Sequence, residues 1–348
     1  METRICRLHE KHDIRIETQP VAAPGAGEAL IAVGAGGICG SDLHYYHAGG
    51  FGPIRVKEPI ILGHEAAGTV IAIGAEVNNV KEGDRVAINP SRPCMACEYC
   101  LRGMTTHCLN MRFRGSAMRF PHEQGLFRDK IVVEAQQCVP VGNADMSAAA
   151  CSEPLAVCLH ARHMAGDLLG KRVLVTGAGP IGALCTAVAA QAGAAEIVTT
   201  DLQDMPLSVA TRMGATRTIN MIAEAEALAQ YAEGKGYFDV VFECSGAAPA
   251  IAGAIAALRP QGRLVQVGIG GETPVPLNAI VGKEITYQGT QRFRHVEFFE
   301  AVRLIRTGGL DVTPMVTGSF ALEDAVKAFD TAGDRAKAVK VHLTFDAA

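Results

Sequence analysis

The stretch Gly37-Ile38-Cys39-Gly40-Ser41-Asp42-Leu43-His44 gathers a thiol, a hydroxyl, a carboxylate and an imidazole within a few positions, and Gly63-His64-Glu65 follows it. A thiolate, an imidazole and a carboxylate from two loops can hold a zinc ion and leave a coordination position open, as a catalytic zinc site requires. Cys39 or His64 taken alone would read as an ordinary core residue. Other motifs must decide.

Cys94-Met95-Ala96-Cys97-Glu98-Tyr99-Cys100 followed by Cys108 has the spacing C-x2-C-x2-C-x7-C. Thiolates at all these positions close a tetrahedral shell, which predicts a structural zinc with nothing left for substrate. An iron-sulfur cluster takes the same ligands, but the displaced last Cys and the missing partner run favour zinc. The first site still needs a further ligand or a water. Glu153, in Cys151-Ser152-Glu153-Pro154-Leu155, stands where the pattern of the chain changes. Its carboxylate would ligate the metal or hold a metal-bound water. Cys151 and, more remotely, Cys158 compete for that role. Glu123, His122 and His160 are also available, though each reads more simply as a surface or packing residue.

Gly177-Ala178-Gly179-Pro180-Ile181-Gly182 lies between a strand-like run, Arg172 to Thr176, and a helical one from Ala183. Strand, glycine loop and helix in that order form a dinucleotide-binding turn. Gly177 allows the tight turn, Gly179 lets a pyrophosphate approach the backbone, and Gly182 lets the helix pack on the strand. Asp201 ends the next strand, where its carboxylate would bond the ribose hydroxyls and repel a 2'-phosphate. No Arg or Lys follows it closely, so NAD is expected over NADP, with NADP possible.

Two kinds of framework must position these groups. Up to about Val141, short apolar runs cut by turn residues (Glu28 to Val33, Gly68 to Ile73, Asp84 to Ile88, Lys130 to Val133) predict an irregular β-rich domain. After Glu153, strand-like runs at Arg172 to Thr176, Glu196 to Asp201, Arg217 to Asn220, Phe238 to Glu243, Arg263 to Val267 and Glu284 to Gln288 alternate with helical segments such as Ala183 to Ala192 and Pro249 to Leu258. That alternation predicts a doubly wound parallel sheet. Helical stretches at Val296 to Thr307 and Leu322 to Thr331 and an apolar end at Val339 to Phe345 could belong to either domain.

Composition narrows the partners. A chain of 348 residues with 49% apolar content can build two cores. A net charge of -4, no Trp and 5% aromatic residues argue against nucleic acid. No apolar run spans a bilayer and the start lacks a secretory pattern, so a cytoplasmic protein without a membrane partner is expected. The eleven Cys, with four in the window Cys94 to Cys108, suit metal binding in a reducing compartment.

In this combination the chain resembles the zinc-containing medium-chain alcohol dehydrogenases from about residue 5 to its end. The residues that carry the resemblance are Gly37 to His44, Gly63-His64-Glu65-Ala66-Ala67-Gly68, the Cys lobe, Glu153-Pro154-Leu155 and Gly177 to Gly182. It implies an α/β fold: a GroES-like β-rich catalytic domain from 1–153 and 291–348, with a structural zinc lobe at about 90–110, and a Rossmann NAD-binding domain over 154–290. It also implies a catalytic and a structural zinc in each subunit, Ser41 as proton-relay hydroxyl, His44 at the outward end of that relay, and Asp42 orienting His64. Glu153 replaces the Cys of the alcohol dehydrogenases proper. That favours the polyol dehydrogenase branch, in which Cys39, His64 and one or both of Glu65 and Glu153 surround the metal.

Asn89 to Cys94, Met111 to Phe113, Gly115 to Met118, Phe120 to His122, Gly282 to Glu284 and Arg292-Phe293 draw the resemblance toward members of that branch that oxidise a sugar acid. The implied partner is a small sugar acid or a neutral polyol such as sorbitol or xylitol. An acid substrate needs a cation, for which Arg292 is the first candidate, Arg114 and Arg119 the next, and Tyr45 a hydroxyl partner. Relatives are commonly homodimers or homotetramers, and the end strand near Glu284 to Gln288 could pair across a two-fold axis. L-threonine or a sugar as substrate, and a non-catalytic protein that binds NAD and zinc, are the alternatives.

Overall fold

The computed structural model describes residues 1–345. Its first part contains β1 (Glu28–Gly37), α1 (Gly40–Ala48), β2 (Glu65–Ile73), β3 (Arg85–Ile88), β4 (Lys130–Glu134) and β5 (Cys138–Pro140). Helix α2 (Ser152–Ala165) then leads into β6 (Arg172–Thr176), α3 (Pro180–Gln191), β7 (Glu196–Asp201), α4 (Asp204–Arg212), β8 (Arg217–Asn220), β9 (Phe238–Glu243), α5 (Ala248–Ala257), β10 (Leu258–Gln266) and β11 (Thr286–Gly289). The chain closes with α6 (His295–Arg306), β12 (Val316–Ala321), α7 (Ala325–Gly333) and β13 (Lys340–Thr344).

The β-rich part is built around β1, whose run of Ala, Leu, Ile and Val is buried along nearly its whole length. Strand β2 covers one edge of β1, giving the order β5-β3-β2-β1. On the other edge the work is divided: β4 pairs with Glu28 to Ala32, and β13 pairs with Ala35 to Gly37. The apolar C-terminal run thus returns to the β-rich part and brings Lys340 beside the loop that carries Cys39. Phe127 packs across the opposite side, and a Cβ at Gly63, where φ is +89°, would strike its ring. Glycine therefore lets the chain turn next to His64.

The second sheet is parallel throughout, in the order β8-β7-β6-β9-β10-β11. The sequence expectation places all six strands. Two of them shift: β10 begins earlier, at Leu258, through a register shift against β9, and β11 runs from Thr286 to Gly289. The order reverses between β6 and β9, so the crevice beyond their C-terminal ends is the place for a dinucleotide. No helix among the described residues is long and apolar enough to cross a membrane.

Helices α2 and α6 pack lengthwise on each other, and Glu297 fastens them. Its buried carboxylate accepts from His160 Nδ1 (3.0 Å), His163 Nδ1 (2.8 Å) and the Arg294 guanidinium (2.6 Å). Burial alone would raise the Glu297 pKa, but these bonds outweigh it and hold it at about 2. A carboxylate depressed in this way stabilises the fold above its unfolded pKa and loses that contribution as pH falls toward 2. Glu297→Gln is accordingly expected to destabilise the protein at pH 7 by about 2–4 kcal/mol. In urea melts the gap between wild type and variant should narrow between pH 5 and 3, and a gap independent of pH would refute the assignment.

Candidate active site

Cys39 is the N-cap of α1, and Asp42 occupies the third position of that helix. The Asp42 carboxylate, fully buried, accepts from the Cys39 N–H (3.0 Å) and the Gly63 N–H (3.1 Å), and lies 3.7 Å from His64 Nδ1. One carboxylate therefore ties the two ligand-bearing loops together and sets a negative charge beside the imidazole. Burial pushes the Asp42 pKa up, against the opposing pull of His64 and the N–H donors. Ligand atoms of Cys39, His64 and Glu65 lie within 4.8 Å of one another. Burial opposes a charge on His64, yet Asp42, Cys39 and Glu153 raise its pKa well above the ordinary value. The pocket is built to hold positive charge, as a zinc site with thiolate and carboxylate ligands must be.

The two carboxylates differ. Glu65 is 1% exposed, and both its oxygens accept from Lys340 Nζ, at 2.7 and 2.8 Å. Lys340, equally buried, also donates to the Ile38 carbonyl at 3.0 Å. Burial raises the Glu65 pKa, but Lys340 and His64 more than reverse this. Glu153, in the first turn of α2, has no ion-pair partner among the described residues. Burial pushes its pKa up to about 7, with His64 working against the rise. It lies outside the tight trio but within its field, since His64 and Glu65 both act on it. The donor set therefore fits a zinc ion held by Cys39, His64 and a carboxylate. Lys340 carries no motif in the sequence; it opens the short strand Lys340–Thr344.

Ligand atoms of Cys94, Cys97, Cys100 and Cys108 likewise lie within 4.8 Å of one another. Backbone N–H groups point at the sulfurs: Cys94 N and Asn110 N donate to Cys108 at 3.1 and 3.3 Å, and Cys97 N to Cys94 at 3.3 Å. The N–H groups of Ala96 and Cys97 lower the Cys94 pKa to about 6, while burial raises that of Cys100 to about 12. A lobe with preset thiolate donors and no carboxylate among them suits a closed, structural zinc.

Ser41 and His44 share α1 with Asp42; His44 is exposed and its ring lies 4.9 Å from that of Phe51. Tyr45 is buried, and its hydroxyl accepts from the Ala117 N–H at 3.2 Å. Arg292 sits at a left-handed φ of 56°, with Nη1 donating to the Thr106 carbonyl at 3.3 Å. Its guanidinium lies 5.8 Å from the Phe113 ring centre, and Phe113 packs 5.4 Å from the His64 ring. Phe113 is thus a bridge that sequence reasoning placed in no role. Arg114 and Arg119, the next candidates, both bond to neighbouring protein groups. Arg114 reaches Gln137 at 3.2 Å, and burial beside Arg92 lowers its pKa to about 10. Arg119 donates to the Met111 and Leu109 carbonyls at 2.7 and 2.9 Å, next to the Cys lobe.

In the dinucleotide loop, a Cβ on Gly182 would collide with the Gly177 carbonyl, and Gly177 has φ +85°. Pro180 and Ile181 open α3, with Gly179 as its N-cap. The strand–turn–helix leaves a backbone cradle that fits a pyrophosphate. Asp201 stands at the end of β7, and Arg335 Nη2 lies 3.0 Å from its Oδ2. A cation does reach this acid, but from the far end of the chain.

The fold and the two Cys-containing clusters define a dehydrogenase of the two-domain zinc type. The family model for the alcohol dehydrogenase GroES-like domain matches residues 25–143, and that for the zinc-binding dehydrogenases matches 180–307. The chain belongs to the zinc-binding medium-chain dehydrogenases, NAD(P)-dependent oxidoreductases acting on CH–OH groups. It is 40% identical over 347 residues to the L-idonate 5-dehydrogenase (NAD(P)(+)) of Escherichia coli (strain K12), covering 99% of each chain. A crystal structure of the E. coli L-idonate 5-dehydrogenase superimposes with a TM-score of 0.94 over 99% of both chains, at 40% identity. Sorbitol dehydrogenase of Homo sapiens is 37% identical, over 93% of this chain and 91% of its own.

Proposed function

We propose that this protein oxidises the C5 hydroxyl of L-idonate to 5-keto-D-gluconate, and catalyses the reverse reduction, with NAD(P). The likeness to L-idonate 5-dehydrogenase over the full chain supports this, and the observation that carries it is Arg292. Its guanidinium lies near Phe113, whose ring also packs against that of His64. Burial lowers the Arg292 pKa, against the opposing pull of Cys108, Glu153 and Tyr45, so the guanidinium feels both the Cys lobe and the metal-site carboxylate. A carboxylate on the substrate answers that charge; a neutral polyol does not.

When bound, zinc supplies a Lewis acid to the substrate hydroxyl, and the dinucleotide supplies the hydride acceptor. Cys39, His64 and Glu153 would hold the ion, with Glu65 kept against Lys340. Ser41 takes the hydroxyl proton, and His44, further along the exposed side of α1, delivers it to solvent. Asp42 fixes the His64 ring for this geometry. The catalytic domain comprises residues 1–153 and 291–348, and 154–290 bind the cofactor. Four consecutive exposed residues on β11, at the edge of the parallel sheet, support pairing across a two-fold axis into a homodimer or homotetramer. All eleven cysteines are free, which suits the cytoplasm.

Steady-state kinetics with Arg292→Ala test the substrate. KM for L-idonate is expected to rise about 10- to 100-fold, matching the loss of a charged hydrogen bond. KM for sorbitol or xylitol should change little. Equal losses on acid and polyol would remove the carboxylate role and move the reading to a neutral polyol.

A further inference from the structure

The acid expected to select against a 2'-phosphate is already saturated. Asp201 Oδ2 accepts from the Ala178 N–H at 2.7 Å and from Arg335 Nη2 at 3.0 Å. Oδ1 accepts from the Leu202 and Gln203 N–H groups at 2.7 and 3.1 Å. A carboxylate offers about four acceptor sites. All are taken, and one of the donors is a full positive charge. Three of these donors are backbone groups fixed by the loop and by the start of α4. Arg335 is the exception: its side chain is 53% exposed, and among the described residues it has no other ion-pair partner. The same guanidinium lies over the dinucleotide loop, where a Cβ added to Gly179 would come within 3.2 Å of Nη2. It is delivered by the segment between α7 and β13, 134 residues beyond Asp201, which is why the sequence around Asp201 gives no sign of it.

We propose that Arg335 is the cofactor-specificity residue of this enzyme, exchanging between Asp201 and the 2'-phosphate of NADP. With NAD bound, the ribose hydroxyls donate to Asp201 at the acceptor site that Arg335 gives up. With NADP bound, the guanidinium turns to the 2'-phosphate and makes charge-assisted bonds to it, while the N–H groups of Ala178, Leu202 and Gln203 continue to neutralise Asp201. One mobile cation thus lets a site with an acidic residue accept both nucleotides. The inference rests on the assignment of the chain as an NAD(P) dehydrogenase and goes beyond it by naming the residue that admits the extra phosphate.

The test is direct binding of NADH and NADPH to the zinc-replete protein without substrate, read by the fluorescence of the nucleotide, for wild type, Arg335→Gln and Arg335→Lys. Arg335→Gln is expected to weaken NADPH about tenfold or more and to change NADH less than about twofold, as removal of a single phosphate-binding cation should. Arg335→Lys should restore most of the NADPH affinity. Unchanged NADPH binding would overturn the proposal, and so would equal losses for both nucleotides, which would put the guanidinium on the shared pyrophosphate or in the fold. Failure of the wild type to bind either nucleotide would overturn the dehydrogenase assignment together with this inference.

Discussion

Replacing His64 with Ala is expected to lower kcat by more than about a thousandfold, the scale associated with loss of a catalytic Lewis acid, and to leave each chain with its structural ion only. The argument starts from the charge around the imidazole. His64 is 6% exposed, faces Asp42 at 3.7 Å, and clusters with Cys39 and Glu65. Without the ring, a thiolate and a carboxylate remain, too few to fix a zinc ion with one position free. Asp42 keeps its bonds to the Cys39 and Gly63 N–H groups, so the loops stay in place and the loss falls on the metal rather than on the fold. Elemental analysis of purified protein separates the two sites, because the Cys94 to Cys108 lobe shares no ligand with the His64 pocket. Full retention of both metals in the variant would remove His64 from the ligand set.

Why the sequence disclosed so much of this site, and where it fell short, follows from distance along the chain. Cys39 and Asp42 are three positions apart on one helix start, and the Cys lobe spans fifteen residues, so their chemistry is written in local spacing. The glycine loop is legible for the same reason, as are the parallel strands, whose apolar runs alternate with helical ones. What escaped is held by long-range pairing. Lys340 meets Glu65 because β13 docks on the second half of β1, and nothing near either residue encodes that register. Arg335 meets Asp201 by a comparable return of the C-terminal segment. The bonds of Arg114 to Gln137 and of Arg119 to the Met111 and Leu109 carbonyls are likewise not written in the spacing of the cations themselves.

Lys340→Met is expected to destabilise the protein by about 3–5 kcal/mol, as removal of one member of a buried ion pair does. Lys340 is 1% exposed, and its ammonium group satisfies both Glu65 oxygens and the Ile38 carbonyl. Burial disfavours a charged lysine, but Glu65 and Cys39 outweigh it and raise its pKa. The ion pair can therefore be deleted as a unit more safely than by halves. Glu65→Gln combined with Lys340→Met removes both charges and should recover a large part of the loss in thermal or urea melts. Equal destabilisation of the single and double variants would show that the pair is not coupled. The same comparison decides between the carboxylates at the metal. Glu65 has both oxygens committed to Lys340, whereas Glu153 has no such partner, so zinc content should survive in the double variant and fall in Glu153→Gln. If zinc is lost with Glu65 instead, Lys340 releases that carboxylate when the metal arrives, and the ion pair is the resting form of a ligand.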